Sequence, residues 1–229
     1  MDIELLLPKP RLVVPKMPSY VKLDMAFGVG AGTTLFDKSR YRSHGDIVGA
    51  SWATGLHGKA LDFDPTLPCY VEIPAAHTQL NFTSEDFSIV ARVRVDSFAG
   101  DILLFIRGSF NSDGYYVGLV NPGIIQILTS QSGAYQYSQT ASNTLLTSTW
   151  YTVGISRAGS SIIPFRNGVD VHSLEGVHIN PASSSRTAKV GINDNKTSNP
   201  FDGKIEFLRI FGGIALSASA HLAWHNFLA

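Results

Sequence analysis

The chain has 229 residues with 18 basic and 18 acidic side chains, so its formal net charge is zero and it carries no electrostatic footprint for nucleic acid. Charged residues make up 16% of the sequence, below the roughly one quarter usual in soluble domains, and Ser, Thr, Asn and Gln supply much of the remaining polarity. Cys69 is the single cysteine, which excludes an intrachain disulfide, and no apolar run approaches the ~18 residues a membrane span needs.

The first 25 residues differ from the rest. "MDIELLLPKP" begins acidic and its apolar run stops at Pro8, so it does not read as a secretory signal. Pro8, Pro10, Pro15 and Pro18 forbid a helix and spoil a central strand, which predicts an extended arm over residues 1–25. Leu5, Leu6, Leu7, Leu12, Val13 and Val14 give that arm apolar surface to bury, on its own body or on a neighbour.

From residue 26 to 229 the pattern is that of one all-β domain. "WATGLHGKALDFD", Trp52 to Asp64, gathers a histidine, two glycines and two carboxylates ahead of a strand. "CYVEIPA" alternates Tyr70 and Glu72 with Val71 and Ile73. "FSIVARVRVDSF" places Phe87, Ile89, Ala91, Val93 and Val95 on one face, with Ser88, Arg92, Arg94 and Asp96 on the other. That period of two predicts a half-buried strand with a polar outer side. "DILLFIRG", "GYYVGLV", "IIQILTS", "AYQYSQT", "WYTVGISRAG" and "SIIPFRNGVDV" follow, and Asn167-Gly168 predicts a tight hairpin because both turn residues tolerate positive φ. "TAKVGIND" and "GKIEFLRIF" close the series of about ten strands, and a short helix is expected from Ala218 with Ser217 as its N-cap. The set predicts a two-sheet antiparallel jelly-roll sandwich with an extended N-terminal arm and one short C-terminal helix.

The order of four phrases resembles the laminin G-like branch of the concanavalin A-like lectin/glucanase superfamily. They are "GAGTTLFDKSRYRSHGDIVGASW", "GKALDFDPTLPCYVEIP", "LLTSTWYTVGISR" with "PFRNGVDV", and "NPFDGKIEFLRIFGGIALSASAHLAWH". The resemblance implies a concanavalin A-like sandwich in which His57 sits in a turn and Asp62 and Asp64 point outward or cap a loop. It also implies a structural calcium ion held by Asp37, Ser39 and Glu206. Arg40 and Arg42 stand where relatives usually have Gly or Asn, so an arginine–carboxylate bridge is the rival expectation there.

No segment carries the Glu-x-Asp-x-x-Glu spacing that aims carboxylates into one cleft, and no nucleophile elbow, His-Glu-x-x-His or phosphate loop is present. The expectation is a protein that is not an enzyme and needs no cofactor beyond that calcium. Aromatic stacking and amide hydrogen bonds hold sugars, and Tyr115, Tyr116, Tyr135, Tyr137, Asn193, Asp194 and Asn195 offer both. The rival reading of those tyrosines is a covered surface or a subunit contact. Two functions follow. The first is a virion component, capsid-decorating or tail-associated, anchored to a homo-oligomer or to other virion proteins through the arm. The second is a lectin-like module that binds surface glycans, extracellular or at a cell surface. A polysaccharide-active enzyme with an unrecognised site ranks third.

Overall fold

A computed structural model of the chain describes residues 18–66 and 68–226. The alternating segments pair into seventeen strands: β1 Val21–Ala26, β2 Thr34–Leu35, β3 Gly45–Val48, β4 Ser51–Thr54, β5 Lys59–Phe63, β6 Tyr70–Ile73, β7 Phe87–Val95, β8 Ile102–Ser109 and β9 Asp113–Val120. They continue with β10 Ile124–Gln131, β11 Ala134–Thr140, β12 Trp150–Ala158, β13 Ser161–Arg166, β14 Val169–Asp170, β15 His172–Leu174, β16 Ala188–Val190 and β17 Gly203–Gly212. One sheet runs β14-β13-β12-β7-β17-β5-β4, with β1 also paired to β17. The other is nine-stranded and runs β15-β11-β10-β9-β8-β16-β6-β3-β2. Every pairing is antiparallel. The two sheets form the expected jelly-roll sandwich, with its helix α1 at Ala218–His225.

The core lies between the sheets. Ile89, Ala91 and Val93 of β7 and Ile205, Leu208 and Ile210 of β17 meet Phe105, Val117, Leu119, Ile125 and Ile127 from the nine-stranded sheet, all fully buried. At one end Phe87 joins the layers through Tyr115, 5.0 Å between ring centroids, and Tyr115 in turn packs on Phe105 at 6.0 Å. Such pairs add about 0.5–1.5 kcal/mol each beyond their buried area.

The boundary expected after residue 25 falls inside a strand. Leu23 and Met25 enter the core between the sheets, and Val21 packs with Val90, Phe207 and Phe211 on the outer side across a register shift. Strand β1 pairs with Phe207–Phe211 of β17, so residues 21–25 belong to the sandwich. The period of two in "VKLDMAF" signals this, but the prolines just before it dominate the sequence pattern. Leu5, Leu6, Leu7, Leu12, Val13 and Val14 lie outside the described residues.

Most of the outer side of β7 is covered, and only its end at Arg94 stays partly exposed. Ser88 and Arg92 are buried, as is Val90 between them, because helix α1 and residues 214–216 lie across this face. Ser88 Oγ donates to the Ile214 carbonyl and accepts from the Leu216 amide, and Ser156 Oγ donates to the Leu216 carbonyl. Arg92 donates to Glu206 Oε2 at 3.4 Å and to the His225 carbonyl at 2.7 Å. Arg209 bonds Asp24 at 2.7 Å and stacks over Trp224 at 4.6 Å. Helix α1 starts where Ser217 accepts the Ala220 amide, as its cap position requires.

Two glycines let the helix sit close. A Cβ on Gly154 would collide with the His221 ring, and one on Gly168 would strike the backbone of Leu222. Gly168 also carries φ +80° and Asn167 φ +52°, the positive values that the tight turn between β13 and β14 demands. The His221 Nε2 bonds Ser156 Oγ at 2.8 Å while its Nδ1 has no partner, the pattern of a neutral imidazole, and burial pushes its pKa down to about 4.

Candidate functional site

The outer face of the nine-stranded sheet is built differently. Residues of β9 and β10 alternate, so Val117 and Leu119 enter the core while Tyr116, Gly118 and Val120 point away from it. Register then sets the neighbours: Tyr116 faces Leu128 and Leu128 faces Tyr137, while Gly118 faces Gln126 and Gln126 faces Gln139. The result is a groove of about 250 Å³ lined by Asp101, Leu103, Phe110, Tyr116, Gly118, Gln126, Asn193 and Asn199.

Its floor is open because Gly118 has no side chain. A Cβ there would meet Val120, Leu103 and Tyr116 only at ordinary contact distances of 3.5–3.6 Å, so neither sterics nor φ requires this glycine. One wall is aromatic. Phe110, nearly half exposed in the β8–β9 turn, packs on Tyr135 with ring centroids 4.7 Å apart. Burial pushes the Tyr116 hydroxyl up to about 12, and the nearby Asp101 carboxylate and Tyr135 add to that rise, so Tyr116 remains a neutral donor and acceptor.

The opposite wall is a loop that orders itself. Asn193 Nδ2 donates to Ser198 Oγ at 3.0 Å and to Asn199 Oδ1 at 3.2 Å, and Asn199 Nδ2 donates to the Asp101 carbonyl. Lys196 and Asn199 hold positive φ of 61° and 53° within it. Gln126 is steadied by its bond to Gln139 at 3.1 Å. These amides therefore meet a ligand already oriented, which reduces the ordering cost of binding.

The sequence-predicted sugar residues divide. Tyr116 and Asn193 line the groove, Tyr135 borders it through Phe110, and Tyr137 lies two strands away on the same face. Tyr115 does not reach this surface: adjacent strand residues point oppositely, and its ring is buried with the hydroxyl donating to the Leu80 carbonyl. Asp194 is held outside the groove by Arg186 at 2.6 Å and Lys189 at 2.8 Å. Asn195 is exposed and spends its carboxamide oxygen on the Thr197 and Ser198 amides. Gln126, Phe110, Asn199 and Asp101 did not stand out in the sequence. An amide at an outward position between aliphatics, as in "IIQIL", is the signal that marks Gln126.

The expected calcium ligands do not fit an ion. Asp37 Oδ1 accepts from the amides of Asp24 and Ser39, and Oδ2 accepts from Ser39 Oγ and the Ser43 amide, all at 2.7–2.8 Å. Four donors use the roughly four lone-pair sites of an ionised carboxylate. Glu206 is engaged by Arg92 and by the His57 amide at 2.6 Å. The guanidinium comes from β7, whereas Arg40 and Arg42 were the sequence candidates. Among the described residues no three His, Cys, Asp or Glu side chains group to hold a metal ion. In the same region Asp62 pairs with Lys204, and Asp64 caps a turn by accepting from Thr66. None of these carboxylates faces the groove.

A family model described as the concanavalin A-like lectin/glucanases superfamily matches residues 69–220. Among curated proteins nothing matches the chain. Domain 4 of AbnA, a GH43 extracellular arabinanase from Geobacillus stearothermophilus, solved in complex with arabinotriose, aligns with a TM-score of 0.61 at 18% identity, covering 90% of this chain and 98% of that one. The binding domain of Paraclostridial Mosquitocidal Protein 1 gives 0.73 at 14% identity, covering 90% of this chain and 52% of that one. Trypanosoma rangeli sialidase in complex with the inhibitor DANA gives 0.62 at 14% identity, covering 89% and 32%. The chain thus spans about half of the toxin domain and about a third of the sialidase. At such identities the likeness is one of fold.

Proposed function

The chain belongs to the concanavalin A-like lectin/glucanases superfamily, and from that membership we propose that it is a non-catalytic carbohydrate-binding module whose ligand lies in the groove of the nine-stranded sheet. One observation carries this reading: Tyr116 and Phe110 offer stacking faces beside the oriented amides of Gln126, Asn193 and Asn199. Apolar ring faces and equatorial hydroxyls are what those two kinds of group recognise. Asp101 is the one carboxylate lining the groove among the described residues, whereas glycoside hydrolysis works with a facing pair. The arabinotriose bound to the arabinanase domain supports a saccharide ligand for a sandwich of this shape.

Affinity electrophoresis against a panel of polysaccharides, followed by calorimetric titration of the strongest ligand, tests the reading. Tyr116→Ala is expected to weaken binding at least tenfold, about 1.4 kcal/mol. Retardation by no polysaccharide sinks it.

A second role, in assembly, is favoured by the six apolar residues spaced among the prolines of the N-terminal segment. Such a segment gains stability by lying in a neighbour's groove or along a sheet edge. Deleting residues 2–17 leaves β1 whole, so the expected outcome is a folded chain of lower oligomeric mass in sedimentation, with glycan binding retained. An unchanged mass removes the assembly role, virion assembly included.

A further inference from the structure

We infer that the groove accepts uncharged oligosaccharides and discriminates against acidic ones, an inference that rests on the carbohydrate-binding reading of the same groove. The argument is one of charge. Among the described residues the groove lining holds a single formal charge, Asp101, whose Oδ1 accepts the Asn121 amide at 3.3 Å and pairs with no described cation.

Cations do lie on this face, but they are engaged. Lys189 is almost fully buried, with its Nζ bonded to Thr187 Oγ1 at 2.7 Å and Asp194 Oδ1 at 2.8 Å and 3.9 Å from Glu72. Arg186 bonds Asp194 at 2.6 Å and Asp113 at 3.3 Å, and Lys196 bonds Glu72 at 3.0 Å. Three cations thus face three carboxylates, and none is directed into the groove. A sugar carboxylate or sulfate seated on Tyr116 would be stripped of water beside Asp101 with no counter-charge to receive it. Hydroxyls meet the opposite situation, because the Asp101 carboxylate and the three amides offer acceptors and donors without any ionic demand.

The stacking surface also exceeds one ring. Tyr116 on β9 and Tyr137 on β11 stand two strand spacings apart, about 10 Å. The Phe110–Tyr135 pair extends the same face beyond the groove. A chain of several sugar units covers this platform, whereas a monosaccharide uses only part of it.

The test uses the full chain on an array printed with matched glycans, each neutral backbone beside its sialylated and sulfated form, followed by titration of one neutral backbone as mono-, di- and trisaccharide. The expected result is binding confined to neutral members, tightening with length, and at least tenfold weaker for each acidic form at low salt. Asp101→Asn is expected to narrow the neutral-to-acidic preference to under threefold. Gly118→Leu, which fills the floor, serves as the control for place, with its melting temperature reporting that the fold persists. An acidic glycan bound as tightly as its neutral parent, and lost in Gly118→Leu, overturns the charge argument while leaving the groove reading intact. Glycan binding indifferent to Gly118→Leu and to Tyr116→Ala overturns the groove reading itself, and the charge argument with it.

Discussion

The two outer faces of the sandwich carry comparable polar chemistry and use it in opposite ways. On the β7–β12–β17 side, Arg92, Arg209, Glu206, Ser88 and Ser156 are sealed beneath α1 and residues 214–216, each satisfied by a charge or a carbonyl. On the β8–β11 side, Tyr116, Gln126 and Asn193 line an open groove and keep bonding capacity for a ligand. A covered face turns polar groups into fastening, and an uncovered one leaves them as recognition. The difference is set by one helix, and that helix fits only because Gly154 and Gly168 leave it room.

If that division is right, damage to the sealed face costs stability and damage to the open face costs binding. Arg92→Ala is the severest case, because it strands Glu206 in a buried position. A loss of about 3–5 kcal/mol is expected in urea denaturation, and a loss below ~1 kcal/mol would mean that water reaches Glu206.

Acid comes next. Burial holds His221 down at about 4, and it holds His178, which bridges Thr129 and Ser138, at about 4 as well. The unfolded chain takes up protons at both between pH 6.5 and 4 while the folded chain does not, so stability falls as pH drops through that window. The loss approaches roughly 3 kcal/mol per histidine at its acid end. Urea midpoints at pH 7.5, 5.5 and 4.5 measure this, and a flat profile contradicts it.

Ser217→Ala removes the cap of α1 and is expected to cost about 1 kcal/mol, read as a lowered melting temperature. Gly118→Leu sits at the other extreme, with a stability change under ~0.5 kcal/mol and saccharide binding abolished in the same preparation. A large destabilisation there would show the open face to be structural after all.

The fold was legible because a period of two recurs from Gly58 onward and because Asn167-Gly168 and Ser217 are local signals whose meaning does not depend on partners. The site was legible only in part. "GYYVG" shows two tyrosines, but which one faces out depends on the sheet face, and the choice fell to Tyr116 while Tyr115 went inward. Gln126 and Phe110 become site residues only through cross-strand register and a turn, neither of which is visible in the linear sequence. Arg92 misled for the converse reason. Alternation marks it as facing away from the core, and nothing local says that residues 133 positions later return to cover it.

The pairing of β1 with β17 has a practical bearing. Tyr20 meets the closing strand through the Gly212 amide, and His225 rests on Arg92 and Thr152, so residues 18 and 226 both emerge around the eight-stranded layer. A fluorophore, bead or fused carrier attached at either place stands on the far side of the sandwich from Tyr116. Surface-immobilised protein prepared in that way presents its groove to the medium.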